Sequence, residues 1–183
     1  MKWTRPILIL LAAFLAAFLE SCWDPIRHLF GAQIDLLPPL MVYSSLSCGL
    51  GTVCALSLWG GLCFDALSSN PPGITVLPLF LAGFLIYLRR ELILRDQVYA
   101  QFVLGLAASA FVPLATLVML LSGRQSPELG WGSLWQWIVM SVGGASVTPL
   151  CFWLFEGLHR SLTNRPAIEI SFRPDREIKR GRH

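Results

Sequence analysis

Asp65 is the residue whose type and setting most invite chemistry. Cys54, Ser57, Gly61 and Asp65 recur at helical spacing, so a narrow row of small residues leads to a lone acid at the end of an apolar run. An ionisable side chain near the end of a span marks a functional site in lipid. The same carboxylate stands just before Ser68 and Asn70 and can instead satisfy the backbone donors of the following turn. The residues leave both roles open. Cys22, Cys48, Cys54, Cys63 and Cys151 are scattered at or within apolar runs, with no C-x-x-C pair and only three histidines in the chain. They read as small apolar filler rather than a metal or redox centre. Glu156 and His159 are helical neighbours near the end of the last apolar run and read as interfacial. With no acid/histidine cluster at membrane depth, no Ser–His pairing and no phosphate-cradling loop, the chain reads as non-enzymatic and without a cofactor.

The elements that carry these residues are membrane elements. Of the 183 residues 55% are apolar and 14% charged, and the charges fall in short clusters between apolar runs. A soluble domain of this length does not have that balance. The expected fold is an all-α polytopic membrane protein, a bundle of six transmembrane helices filling residues 1–159, followed by a basic, mobile cytoplasmic tail over 160–183. The spans are placed at about 6–23, 36–48, 50–67, 74–89, 97–122 and 134–157.

The first span follows Lys2 and Arg5. Leu19-Glu20-Ser21-Cys22 sketches a lipoprotein cleavage site, but Glu20 suits it poorly and further spans follow, so cleavage is not expected. Ala12, Ala13, Ala16 and Ala17 form a small-residue face of the kind that lets helices approach in lipid. A polar connector, Glu20 to Asp35, carries Trp23 at the interface. Pro38 and Pro39 suit the start of a helix, and Gly49 and Gly51 suit a tight reversal near Cys48. The turn 68–73 ends in Pro72-Gly73, Gly83 lies mid-way along the fourth span, and Arg89, Arg90 and Arg95 follow it. Gly105, Ala108, Ser109 and Val112 share a face of the fifth span, which Pro113 bends; Ser141, Gly144, Ala145 and Thr148 share a face of the sixth, before Pro149. Trp131, Trp135 and Trp137 mark the entry to that last span. No internal repeat or low-complexity tract is visible.

The reading turns on whether the stretch Leu36 to Phe64 is one helix or two. As one, its 29 residues would extend roughly 43 Å, against about 30 Å of bilayer hydrocarbon. Broken near Cys48–Gly51 it becomes a hairpin. Six spans with both termini in the cytoplasm then put twelve Lys and Arg inside, against Arg27 and Arg124 outside. One merged span with the N-terminus inside inverts the balance to 3 inside and 11 outside. Five spans with the N-terminus outside score 11 to 3, but translocate a basic N-terminus and tilt the long helix strongly. Six spans account for the charges better.

Gly60-Gly61-Leu62-Cys63-Phe64-Asp65-Ala66-Leu67, a short polar turn ending Pro72-Gly73, and an apolar run through Gly83 and Tyr87 into Arg89-Arg90 resemble the MreD family of rod shape-determining membrane proteins. Thr148-Pro149-Leu150 leading to Leu154, Leu158 and Arg160 resembles the sixth helix of that family. The resemblance covers most of the chain in length and span number, with the specific residues at roughly 60–90 and 145–160. The position of Leu67, the cysteines of the third helix and the longer basic tail depart from the family. The resemblance implies a bacterial inner-membrane scaffold and regulator of the cell-elongation complex. Its partners would be an MreC-like single-pass protein and, through it, the RodA glycosyltransferase, the elongation transpeptidase and the MreB filament. It also implies a bundle distantly like the substrate-binding subunits of energy-coupling-factor transporters.

The candidate partner-binding or packing positions are Ser57, Gly60, Gly61, Asp65, Gly73, Gly83, Gly105, Ala108, Ser109, Ser141, Gly144, Ala145, Thr148 and Pro149. Arg89, Arg90 and Arg95 are the candidate cytoplasmic contacts, to a partner or to anionic lipid. Nucleic acid is not an expected partner. The alternative function is a small-molecule-binding subunit of an energy-coupling-factor type transporter, for which Ser57, Asp65 and the acids of the first connector offer few ligand groups. An intramembrane enzyme is the third and least supported class.

Overall fold

Six α-helices follow one another in the described part of the chain: α1 (Thr4–Cys22), α2 (Leu37–Ser47), α3 (Leu50–Leu67), α4 (Val76–Arg89), α5 (Val98–Ser122) and α6 (Trp131–Leu162). The computed structural model describes residues 4–22, 34–68, 71–91, 93, 97–122 and 130–162. Lys2, Trp23 and most of the first connector, Asn70, Arg95, Arg124 and the tail from 163 onward lie outside the described residues. Three helices, α3, α5 and α6, are long and apolar enough to cross a membrane, and α4 is a shorter apolar helix. The chain is therefore read as an all-helical membrane protein. At 32 residues α6 begins earlier and ends later than the span expected at 134–157, and extends about 48 Å.

The stretch 36–64 is broken in two. Cys48 (φ −123°, ψ 179°) and Gly49 (φ −83°, ψ 166°) are extended and separate α2 from α3. The amide of Cys48 still donates to the Ser44 carbonyl at 2.9 Å, and that of Thr52 donates to the Gly49 carbonyl at 3.0 Å, so both helix ends are closed. The reversal does not draw on the conformational freedom of glycine, contrary to expectation. Neither Gly49 nor Gly51 has positive φ, and a Cβ at either would meet nothing within 4 Å. Two extended residues turn the chain, and any L-residue adopts that conformation.

The contacts order the bundle. Leu37 at the start of α2 packs on Gly60 near the end of α3, and Val76 at the start of α4 packs on Gly61, so α2 with α3 and α3 with α4 run antiparallel. On α6, Gly143 meets Ile34 and Gly144 faces Pro39, while Phe152 and Phe155 meet Tyr43 further along, so α6 runs parallel to α2. Thr148 against Gly105 and Ser109 against Gly144 make α5 antiparallel to α6. Helices α1, α3, α4, α5 and α6 stand in that order around α2, which touches all five.

The shortest and most serine-rich helix is thus the centre. Leu37 to Leu46 are buried without exception. Tyr43 stacks on Phe155 at 4.8 Å and meets Phe152 edge-on at 5.0 Å, both favoured aromatic geometries. Its two prolines lie in the first turn, where an absent N–H leaves no hydrogen bond unmade.

Two buried carboxylates close the N-terminus of α2. Glu20 Oε1 accepts from the Leu36 N–H at 2.5 Å, and Asp35 Oδ1 accepts from the Leu37 N–H at 2.9 Å. Burial raises the Asp35 carboxyl from 3.8 to about 6, against the opposing pull of the Leu37 N–H. The folded state therefore keeps this proton at pH values where the unfolded chain has lost it. Stability should fall as pH rises from 3.8 through about 6. Thermal unfolding of the detergent-solubilised protein across that window should show the decline, and Asp35→Asn, which keeps the acceptor for Leu37, should flatten it.

Candidate functional site

The α3–α4 joint is where the acid singled out by the sequence does its work. Asp65 sits in the last turn of α3 and is 2% exposed. Its Oδ2 accepts from the Gly73 N–H at 2.8 Å and the Thr75 N–H at 3.2 Å, and its Oδ1 accepts from the Thr75 hydroxyl at 2.5 Å. Three donors thus converge on one carboxylate. Two of them are backbone amides at the entry to α4, groups that the helix itself leaves unbonded.

The joint is specified locally. Gly73 adopts φ +94°, a conformation that disfavours residues with a Cβ, and this aims its N–H back at α3. Ser68 closes α3, its N–H donating to the Phe64 carbonyl at 2.9 Å, while its hydroxyl reaches the backbone oxygen of Asp65 rather than the carboxylate. Gly61, one turn below Asp65, lets α4 come close: a Cβ there would lie 2.9 Å from the Val76 Cα and 3.0 Å from its N. Backbone atoms cannot yield as a side-chain tip can.

The remaining small residues line internal seams. Ser57 is buried and donates to the Cys54 carbonyl at 2.9 Å. Cys54 itself is exposed, so the row expected to run from Cys54 to Asp65 is interior only from Ser57 on. Gly60 receives Leu37, and Gly83 receives Met41 and Val53 of α2 and α3. Between α5 and α6 the fit is reciprocal, with the Thr148 hydroxyl in the notch at Gly105 and the Ser109 hydroxyl in the notch at Gly144. Ala108, Ser141 and Ala145 are buried beside them, and the hydroxyls of Ser141 and Thr148 donate to carbonyls one turn back, those of Trp137 and Gly144. Pro149 lies inside α6 and is half-buried.

No family model matches this chain, and neither does any curated protein or solved structure.

At the opposite end of the bundle Arg89 and Arg90 are exposed. Arg90 lies 4.3 Å over the Tyr87 ring and donates to the Cys48 carbonyl at 3.5 Å, joining the end of α4 to the α2–α3 reversal. Arg5 lies within electrostatic reach of Tyr43, near the same end. The described charges are therefore sorted. Arg5, Arg89 and Arg90 gather where α2 ends, with Glu91 and Glu156 beside them, whereas Glu20, Asp35 and Asp65 gather where α2 begins. Among the described residues no three His, Cys, Asp or Glu side chains come together in a way that could hold a metal ion.

Sequence reasoning did not single out Thr75, which supplies the hydroxyl and one amide to Asp65. The signal was present, since a threonine two residues after a Pro-Gly turn and just before an apolar run is a helix-entry residue. Nor did it pair Glu20 with Asp35. They are 15 positions apart, and only the return of the chain from α1 to α2 brings them to consecutive amides.

Proposed function

We propose that this chain is a non-enzymatic scaffold and regulator of the bacterial cell-elongation complex, of the MreD type. It would sit in the inner membrane with six spans and both termini in the cytoplasm. It would bind an MreC-like single-pass protein and, through it, support the RodA glycosyltransferase and the elongation transpeptidase in peptidoglycan synthesis. The observation that carries the reading is the α3–α4 joint. The residues on which the resemblance rests, Gly61, Asp65 and Gly73, belong to one interlocked unit rather than to three unrelated positions.

The charge sorting supports the orientation, because arginines in short segments are retained on the cytoplasmic side. The end bearing Arg5, Arg89 and Arg90 would face the cytoplasm, and the end bearing Asp65 the exterior. Helices α2 and α4 are short for full spans at 11 and 14 residues, and a short helix surrounded by others is accommodated by its neighbours.

Depletion in a rod-shaped host tests the proposal. Cells should round up, and a single-pass wall-assembly protein should co-purify with the chain in detergent. Unchanged cell shape on depletion, or a small molecule bound at one per chain in the purified protein, would overturn it.

A further inference from the structure

Contacts fix how the helices stand along the bundle axis. Leu37 of α2 meets Gly60 of α3, Val76 of α4 meets Gly61, and Gly144 of α6 meets both Pro39 of α2 and Ser109 of α5. Measured from the level of Pro39 at ~1.5 Å per residue, α2, α3, α4 and α5 all end about 12–17 Å away on the side of Arg89. On the side of Asp65 the ends are staggered. Helix α5 continues about 18 Å to Leu121, α6 about 14 Å to Trp135 and α3 about 14 Å to Leu67, whereas α4 starts only about 5 Å beyond Pro39. Exposed Trp135 stands roughly 30 Å from Arg89 along the axis, which is the thickness of bilayer hydrocarbon. Indole rings favour the interface at one limit of that layer and arginines the other.

Helix α2 also stops short, but the other helices enclose it. Helix α4 is not enclosed: Leu77, Leu81, Leu85 and Leu88 form one exposed face along it. That apolar stripe covers about 17 Å, against about 27 Å for the exposed apolar face of α5 from Val103 to Leu121. On the Asp65 side the stripe ends at the irregular α3–α4 joint, where Pro72 is exposed and Pro71, Gly73 and Ile74 are half-buried. Irregular backbone does not face lipid inside the hydrocarbon layer.

We propose that the leaflet on the Asp65 side is drawn down against α4, so that headgroups and water meet the joint about 10 Å below the level at which they meet α5 and α6. The partner of the α4 face is lipid, because its leucines match acyl chains in chemistry and fall short only in length. Thinning of the bilayer accommodates a span of this kind, and tilting α4 would only shorten its reach. The inference rests on the membrane reading of the chain and stands apart from its role in cell elongation.

Spin-label depth in vesicles of dioleoyl phosphatidylcholine tests it, using the purified full chain with the label on one introduced non-natural residue at Leu77 or at Leu114, both exposed. Collision with oxygen, which concentrates in hydrocarbon, against collision with a water-soluble nickel chelate reports the depth. Along the bundle axis Leu114 stands about 5 Å nearer the Asp65-side surface than Leu77 does. A drawn-down leaflet reverses that order, and Leu77 should be the shallower of the two by about 5 Å. A Leu77 label as deep as the Leu114 label, or deeper, would overturn the proposal. So would a Leu77 label shielded from both reagents, since a second copy of the chain rather than lipid would then cover α4.

Discussion

Asp65→Ala should lower the stability of the detergent-solubilised protein by about 2–4 kcal/mol, the range expected when buried donors lose a charged acceptor. The substitution strands the N–H groups of Gly73 and Thr75 and the Thr75 hydroxyl together, at a position 2% exposed. Asp65→Asn should be milder. Its side-chain oxygen can serve both amides, and its NH2 can donate to the Thr75 oxygen once that hydroxyl rotates. The comparison separates two roles for this acid. If Asp65 acts only as the fastener of the α3–α4 joint, Asn should retain most of the stability and all of the activity in cells. A well-folded Asn variant that loses activity would instead mean that the charge is used. Thermal unfolding read beside complementation of a depleted strain checks both.

Gly105→Ala is the second large effect. Added bulk at Gly105 meets the Thr148 hydroxyl at once, and the Cβ would stand 2.7 Å from the Thr148 Cβ and 3.2 Å from the Ala145 Cα. Overpacking costs about 1–3 kcal/mol, and here it outweighs the gain of up to about 1 kcal/mol that alanine brings over glycine in a helix. The collision is with one threonine first, so Gly105→Ala combined with Thr148→Gly should recover part of the loss. Gly51→Ala provides the contrast, since nothing lies within 4 Å of its Cβ and the residue is helical. It should be neutral or slightly stabilising. A Gly105→Ala variant as stable as the parent would mean that α5 and α6 are not held at this separation.

Much of the architecture could be read along the chain because it depends on short-range periodicity. Gly105, Ala108, Ser109 and Val112 share a face by spacing alone, and the structure buries all four, as it does Ser141, Gly144, Ala145 and Thr148. The break near Cys48 followed from length and charge together, since a 29-residue stretch exceeds a bilayer and six spans best sort the Lys and Arg residues. Its mechanism did not, because Gly49 and Gly51 suggested a reversal that draws on glycine, where two extended residues suffice. Cys54 shows where periodicity stops informing. Its angular position on α3 is close to that of Ser57, yet it is exposed, because the buried side at each level depends on which helix stands opposite.

By itself the sequence determined an apolar, helical chain, the small-residue faces of its helices, and an acid placed beside a turn containing Gly73. It could not say that α2 is the centre, since that helix has no buried face to detect: all of Leu37 to Leu46 is buried. Only the tertiary structure chose Thr75 over the nearer hydroxyl of Ser68 as the partner of Asp65, and set Gly105 against Thr148 and Ser109 against Gly144. The physical reason is common to all three. A local pattern specifies which side of an element is small, apolar or polar, but its neighbour is set by how six such elements fill space together, and that arrangement involves residues ten to more than a hundred positions apart.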